Sequence, residues 1–149
     1  MSILKGLVVD TKSAWVDYPG LHGFELEIAT MSRPALIAMR KKCLHTKIDK
    51  KTRQPVETLD EEKFIADFVR ATLKNWKGLT LGMLEQLLPI DVAGKSLDTE
   101  VPFTFEDAEL LVKHSGEFDQ WLNEAVFDLD NFRSGAERDT VEPAGKVAK

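Results

Sequence analysis

The residues best suited to chemistry in this sequence are three histidines and one cysteine, and their spacing matches no common active site. His22, His45 and His114 are far apart, and none has a second ligand at the spacing that a metal site requires. Cys43 has no neighbouring base in the sequence to activate it, unless folding brings one close. Its position on an apolar helical stripe predicts a buried, inert thiol. The sequence also contains neither a phosphate-binding glycine loop nor a serine nucleophile motif.

The acidic residues occur in clusters at residues 60–62, 106–109 and 128–130. Two carboxylates catalyse hydrolysis when they face each other across a cleft. Each of these clusters instead falls at a predicted helix start or on a predicted solvent face, where negative charge complements the helix dipole or is solvated. We therefore predict no catalytic residue, no cofactor and no metal site, and we expect that the protein is not an enzyme.

The composition predicts one acidic domain whose positive charge is concentrated in a single segment. The 149 residues are 43% hydrophobic, enough for one core, and carry a formal net charge of -5. This charge is unfavourable for wholesale nucleic-acid binding, which requires surplus cations to neutralise phosphates. The segment of residues 40–53 contains Asp49 as its single acid. Its basic residues are Arg40, Lys41, Lys42, Lys47, Lys50, Lys51 and Arg53. This basic segment is either an interaction surface or a solvated loop.

Cysteine count and hydropathy predict the cellular compartment. Because Cys43 is the single cysteine, an intramolecular disulfide is impossible. Residues 1–10 lack the apolar core of a signal peptide, and no apolar run approaches the ~20 residues that span a bilayer. We expect a soluble protein of a reducing cytoplasm, with no membrane partner.

The first thirty residues predict a small antiparallel sheet. Residues 4–9 and 14–16 are short runs that predict strands, and the Asp-Tyr-Pro-Gly sequence at residues 17–20 is a strong turn signal. After the turn, the alternation of apolar and acidic residues predicts a strand with one buried face, formed by Phe24, Leu26 and Ile28. We expect two or three strands whose apolar face requires helices to cover it.

The middle of the chain predicts two helices and a polar connection between them. Ser32 is the N-cap of the first helix, and residues 45–57 predict a mobile loop or, alternatively, a small hairpin. A capping box that begins at Thr58 predicts the start of a longer helix. The apolar stripe of this helix includes Trp76, and Gly78 is placed to end it.

The complete pattern predicts an α+β fold that is mainly α-helical, with a small N-terminal antiparallel sheet packed on four to five helices. Further helices are predicted from Thr80 and Thr104, followed by a last helix whose apolar stripe reaches Leu129 and Phe132. We assign residues 1–133 to one domain, with strands in 1–30 and helices in 32–133. Residues 134–149 contain no large aromatic residue or leucine, so they predict a flexible C-terminal tail.

Trp15 and Trp121 are candidates for partner binding, because Trp is enriched in binding hot spots. The alternative for each is a place in the core. Trp121 lies in an apolar helical stripe, which favours the core, whereas Trp15 lies near a strand end, which favours neither alternative. We predict that partner binding involves these two residues together with the seven cations of the basic segment.

Three short signatures lie at predicted helix boundaries: Asn-Trp-Lys-Gly at residues 75–78, Val-Pro-Phe-Thr at 101–104 and Asn-Phe-Arg at 131–133. In this order they resemble the tail assembly chaperones of long-tailed bacteriophages. The N-terminal strands and the helix at Ser32 are also similar to the layout of that family, so the resemblance covers most of the chain. One departure is the additional apolar stretch at residues 79–90.

The resemblance implies a non-catalytic protein that binds the tape measure protein and keeps it soluble until tail tube polymerisation. It implies the tape measure protein as the main partner, and the tail tube protein and further copies of the chain as additional partners. It also implies a location in the host cytoplasm and absence from the mature virion. A longer frameshifted product, with a junction after Ser134, would fit the same family pattern.

Two other functions fit the sequence. A structural tail or neck component of the virion would have the same small domain, with a tail that becomes ordered on assembly. A small nucleic-acid-binding or regulatory protein would use the basic segment, although that segment lacks interleaved aromatic residues for stacking on bases.

Overall fold

The computed structural model describes residues 2–9 and 11–133, and the predicted tail at residues 134–149 lies outside them. Its elements, in chain order, are α1 (Ile3–Leu7), β1 (Ser13–Asp17), β2 (Glu25–Ala29), α2 (Arg33–Lys42), β3 (Leu44–Ile48), β4 (Pro55–Leu59), α3 (Glu61–Thr72), β5 (Leu73–Lys77), α4 (Leu81–Leu87), α5 (Phe105–His114), α6 (Gly116–Phe127) and a 3-10 helix (Leu129–Phe132). The fold is α+β and mainly α-helical, as the sequence predicts. None of the described helices is long and apolar enough to cross a membrane.

The main sheet is antiparallel and has the strand order β1-β2-β5. The predicted alternation in β2 is confirmed, because Leu26 and Ile28 are fully buried. The predicted turn before it is closed by a hydrogen bond of 2.9 Å from the Tyr18 amide to the Phe24 carbonyl. Gly20 lies in this turn at a φ of 86°, a conformation that favours glycine.

The prediction that the helix continues through Trp76 is wrong. Helix α3 ends at Thr72, and the chain then enters the sheet as its third strand, β5. Leu73 and Trp76 are both buried although they are three residues apart, a spacing that indicates a helix in the sequence. A bulge explains this spacing: the β2–β5 register shifts between Glu27 and Ile28, which places an additional residue in β5. Gly78 therefore follows a strand, and its predicted role as a helix C-cap is wrong.

The predicted strand at residues 4–9 is also wrong, because residues Ile3–Leu7 form the short helix α1. The Ser2 hydroxyl caps this helix by accepting a hydrogen bond of 3.2 Å from the Lys5 amide. A strand needs a neighbouring strand to satisfy its backbone groups, and among the described residues no strand pairs with this segment. None of the α1 residues is buried, and α1 is additional to the predicted four to five helices.

The other helices begin close to their predicted starts. Ser32, Thr80 and Thr104 are confirmed as N-caps, since each side chain accepts a hydrogen bond from the backbone amide three residues later. The predicted capping box at Thr58 is wrong, because that residue lies in β4 and Asp60 caps α3 instead. Leu129 is 71% exposed, so its predicted place in a buried stripe is also wrong.

The core lies between the main sheet and helices α3, α5 and α6. Its fully buried side chains include Phe24, Leu26, Ile28, Leu73, Phe118, Leu122 and Val126. Trp76 is also in this core, as favoured by the sequence, and its indole donates a hydrogen bond of 2.9 Å to the Val101 carbonyl. Phe103 packs edge-on against the same indole at 4.9 Å, so two of the three sequence signatures are in contact.

Candidate partner-binding surfaces

The basic segment forms an antiparallel hairpin, so the hairpin alternative for residues 45–57 is confirmed. Strands β3 and β4 pair from Leu44 with Leu59 to Ile48 with Pro55, and within the described residues they pair with no other strand. Eight of their ten residues are exposed. The base of the hairpin is joined to the body by a hydrogen bond of 2.8 Å from the Asp60 amide to the Cys43 carbonyl. The hairpin therefore projects from the domain.

The tip of the hairpin has defined backbone geometry. The Asp49 amide donates to the Gln54 carbonyl at 3.0 Å, and the Asp49 carboxylate accepts from the Lys51 amide at 2.8 Å. Arg53 adopts a left-handed conformation with a φ of 57°, and its amide donates to the Asp49 carbonyl at 2.6 Å. The single acid of the basic segment thus organises the turn that presents its cations.

The structure divides the seven predicted cations between the hairpin and the helix that precedes it. Arg40, Lys41 and Lys42 form the last turn of α2, where positive charge complements the helix dipole. The other four lie on the hairpin and are Lys47, Lys50, Lys51 and Arg53. All seven are exposed, and none forms an ion pair within 4.0 Å with an acid of residues 2–9 or 11–133.

Apolar side chains accompany these cations on the hairpin. Ile48 is 70% exposed and lies opposite Pro55, while Val56 is 45% exposed and lies opposite Lys47. Because residues that face each other in a ribbon lie on the same side of it, each side of the hairpin carries an exposed apolar side chain. The hairpin thus combines exposed positive charge with apolar surface, a combination that suits a protein partner.

Helix α1 is a second exposed apolar element, which sequence analysis missed by assigning a strand. Ile3, Leu4 and Leu7 are each at least 69% exposed, and their spacing places them on one side of the helix. The Ser2 N-cap, one residue before this apolar group, is the sequence signal that indicated a helix.

Trp15 is half-buried in β1, and a cation of the chain itself covers part of its ring. The Lys77 ammonium group lies 4.6 Å from the ring centroid, the geometry of a cation–π contact. The same ammonium group is 3.7 Å from a carboxylate oxygen of Glu25. A partner would have to displace Lys77, so the structure makes Trp15 a less accessible candidate than the hairpin.

Trp121 is half-buried in α6 and lines a surface depression of about 390 Å³. Its ring packs 5.0 Å from that of Tyr18 and 5.6 Å from that of Phe118, so it serves the core and the surface together. The other lining residues are Pro19, Glu117, Gln120 and Glu124. Trp121 thus lies beside acids on α6, whereas the seven cations that are predicted to bind the same partner lie on α2 and the hairpin.

The wall of this depression contains a buried phenol that is hydrogen-bonded to a carboxylate. The Tyr18 hydroxyl donates a hydrogen bond of 2.8 Å to Glu117 Oε2. Burial, and then the neighbouring Glu117 carboxylate, raise the pKa of Tyr18 well above its ordinary value. The phenol therefore remains protonated and holds the carboxylate in place.

The predicted inert thiol is buried, as expected. Cys43 is fully buried, and its Sγ lies 3.7 Å from Asp67 Oδ2. Burial, together with the Asp67 carboxylate, raises the pKa of the Cys43 thiol, which disfavours the nucleophilic thiolate. Nearby, His45 Nε2 lies 3.5 Å from Asp60 Oδ2 at the exposed base of the hairpin. Within the described ranges, no group of three His, Cys, Asp or Glu side chains is arranged to hold a metal ion.

No family model matches this sequence, and neither a curated protein nor a solved structure matches it. The resemblance to tail assembly chaperones therefore stays a prediction that rests on the three signatures.

Proposed function

We propose that this protein is a non-catalytic tail assembly chaperone of a long-tailed bacteriophage. It binds the tape measure protein and keeps it soluble until tail tube subunits polymerise. The observation that carries the proposal is the projecting hairpin, whose cations and apolar side chains take no part in the core. Such a surface suits binding to another protein.

The three signatures support the proposal at the level of architecture. The Trp76 indole donates a hydrogen bond to the Val101 carbonyl, which fixes the segment of chain that leads into α5. The Asn131 side chain donates a hydrogen bond of 2.9 Å to the Ala125 carbonyl and so closes the end of α6. Because these contacts shape the body, we look for the partner surface in the elements between them and before them.

The hairpin and α1 suit a partner that is amphipathic and helical. A tape measure helix exposes apolar surface before assembly, and such surface aggregates unless it is covered. Ile48, Val56 and the apolar side of α1 supply apolar contacts, and the hairpin cations attract acids on the polar side of the partner helix. Many copies bound along one long helix would together hold it more firmly than a single copy.

Co-expression with the tape measure protein, which the proposal predicts to be encoded by a long helix-rich reading frame directly downstream, tests the proposal. We expect a complex of the two proteins on size exclusion and a gain of tape measure protein in the soluble fraction. If there is neither a complex nor a gain in solubility, the proposal is wrong.

A pair of matched variants shows whether the hairpin contributes apolar contacts. Ile48→Asp should reduce the recovery of the complex, because it places a charge at the proposed interface. Leu110→Asp is the control, since Leu110 is also exposed but lies on α5, away from the basic segment. Equal recovery with both variants would exclude Ile48 from the interface.

The proposed role also predicts where the protein is found. As a chaperone it acts in the host cytoplasm and leaves the tail before the virion is complete. Mass spectrometry of purified particles distinguishes it from a structural tail or neck component. Absence from the particle supports the chaperone, and a defined copy number supports the structural component.

The hairpin also favours a second candidate function, nucleic-acid binding or regulation. A two-stranded ribbon fits the major groove of DNA, and four cations lie on this ribbon. The formal net charge of -5 opposes this function for the whole chain. A gel shift at low salt, where electrostatic binding is strongest, tests it, and no shift would exclude this candidate.

A further inference from the structure

The depression beside Trp121 is built from one side of α6 and from the turn after β1. Glu117, Gln120, Trp121 and Glu124 recur at spacings of three and four residues, so they share one side of the helix. Tyr18 and Pro19, from the turn after β1, also line the depression. The volume of about 390 Å³ is near the small end of ligand pockets, which range over about 300–1,000 Å³. The space suits a single side chain and its flanking backbone.

The Trp121 ring is fixed in position and retains an accessible surface. Tyr18 packs against it at an interplanar angle of 60°, and Phe118 packs against it at 42°. The part of the ring that stays exposed lines the depression. The face of an indole attracts cations through its quadrupole more strongly than the other aromatic side chains do.

Carboxylates stand on both sides of this indole along the helix. Glu117 lies four residues before Trp121, and Glu124 lies three residues after it. The Tyr18 hydroxyl holds one oxygen of Glu117, so the other oxygen remains available to a ligand. Within residues 2–9 and 11–133, neither acid forms an ion pair with a lysine, arginine or histidine. Among the described residues, the lining of the depression contains acids and aromatic rings but no cation.

We propose that this depression binds the guanidinium group of an arginine side chain that another protein presents. The planar guanidinium group stacks on Trp121, while Glu117 and Glu124 accept its hydrogen bonds. Arginine suits the site better than lysine, because guanidinium stacks on aromatic rings and donates to carboxylates in a fixed fork. The proposal stands apart from the assembly role, since it requires only a partner segment that contains an arginine.

An NMR titration of the full chain tests this site with N-acetyl-arginine amide as the probe. N-acetyl-citrulline amide is the matched control, because it has nearly the same shape without the charge. The Trp121 indole N–H signal, assigned by its loss in Trp121→Phe, should shift in a saturable manner with the arginine probe. We expect binding of the citrulline probe to be at least about fivefold weaker. Equal binding of the two probes, or no shift with either, would overturn the proposal.

Exposed-acid variants keep the test independent of folding. Glu124→Gln should weaken arginine binding about fivefold, because it removes one charged acceptor from an exposed site. Glu85→Gln is the control, since Glu85 is an exposed acid on α4 and does not line the depression. If Glu124→Gln binds the probe as tightly as the wild type while both variants stay folded, the assignment is wrong.

Discussion

Two isoleucines in strands show how differently the main sheet and the hairpin are used. Ile28 in β2 is fully buried, whereas Ile48 in β3 is 70% exposed. The strand of Ile28 has paired neighbours on both sides, while β3 and β4 pair with each other alone in the described structure. The same residue type therefore contributes to the core in one strand and is available for contact with a partner in the other.

The charges of the two regions differ in the same way. In the body, Arg70 pairs with Glu109 at 3.4 Å and Lys113 pairs with Glu62 at 3.2 Å. The four hairpin cations have no such acid partner among the described residues. Stability should therefore be sensitive to changes in the body, and partner binding should be sensitive to changes in the hairpin.

The largest expected effect is that of Gly78→Ala at the end of β5. Gly78 has a φ of 77°, and an added Cβ would lie 2.9 Å from the Gly23 carbonyl carbon and closer still to its oxygen. We expect a loss of about 4 kcal/mol in the free energy of unfolding, from backbone strain and overlap together.

Gly94→Ala is the matched control for this substitution. Gly94 has nearly the same φ, 78°, but an added Cβ would meet no atom of the described residues within 4 Å. Strain alone should then cost about 1–2 kcal/mol. Urea unfolding measures both variants, and an equal loss would show that close packing against Gly23 is unimportant.

Removing the two isoleucines tests the comparison directly. Ile28→Ala should lower the free energy of unfolding by about 3 kcal/mol, because it leaves a cavity in the core. Ile48→Ala should change it by less than about 0.5 kcal/mol, because its side chain is mostly exposed. Urea unfolding of both variants checks this, and a large loss for Ile48→Ala would mean that the hairpin belongs to the core.

Ser115→Ala should have an intermediate effect within the body. Ser115 is almost fully buried, and its hydroxyl accepts a hydrogen bond of 3.1 Å from the Phe118 amide at the start of α6. Removing this cap should cost about 1–2 kcal/mol. Thermal unfolding measures it beside Ser96→Ala, an exposed loop control that should change little.

The smallest expected effect is a pH dependence where the hairpin joins α3. The Lys63 amide, followed by His45, lowers the pKa of Asp60 below its ordinary value of 3.8. The stabilising cap is therefore fully present above pH 3.8 and is lost as the pH falls through the lower folded value. The Lys63 amide shift in NMR should report this loss. Asp60→Asn, which caps without titrating, should abolish the dependence.

Local signals made much of the body predictable from the sequence. The N-caps at Ser32, Thr80 and Thr104 depend on neighbouring residues, and the β2 alternation depends on a period of two. Strand β5 was not predictable, because its spacing is that of a helix and its bulge depends on pairing with a strand far away in sequence.

The surfaces were predictable to a smaller extent. The sequence identified the seven cations and Trp121, since charge and residue type are visible without a structure. It did not reveal the Tyr18 wall of the depression, because Tyr18 and Glu117 are 99 residues apart in sequence. The exposed side of α1 was missed because its short apolar run also fits a strand.

The central claim is that the hairpin serves binding while the body serves stability. The most direct test measures the solubility of the tape measure protein in the presence of two charge-matched variants. One variant changes Lys47, Lys50 and Lys51 of the hairpin to Gln. The other makes the same change at exposed lysines outside it, which are Lys12, Lys74 and Lys95.

We predict that both variants unfold at the same urea concentration as the wild type. The wild type and the second variant should keep co-expressed tape measure protein in the soluble fraction, whereas the hairpin variant should leave it insoluble. Equal solubility with the two variants would contradict the claim.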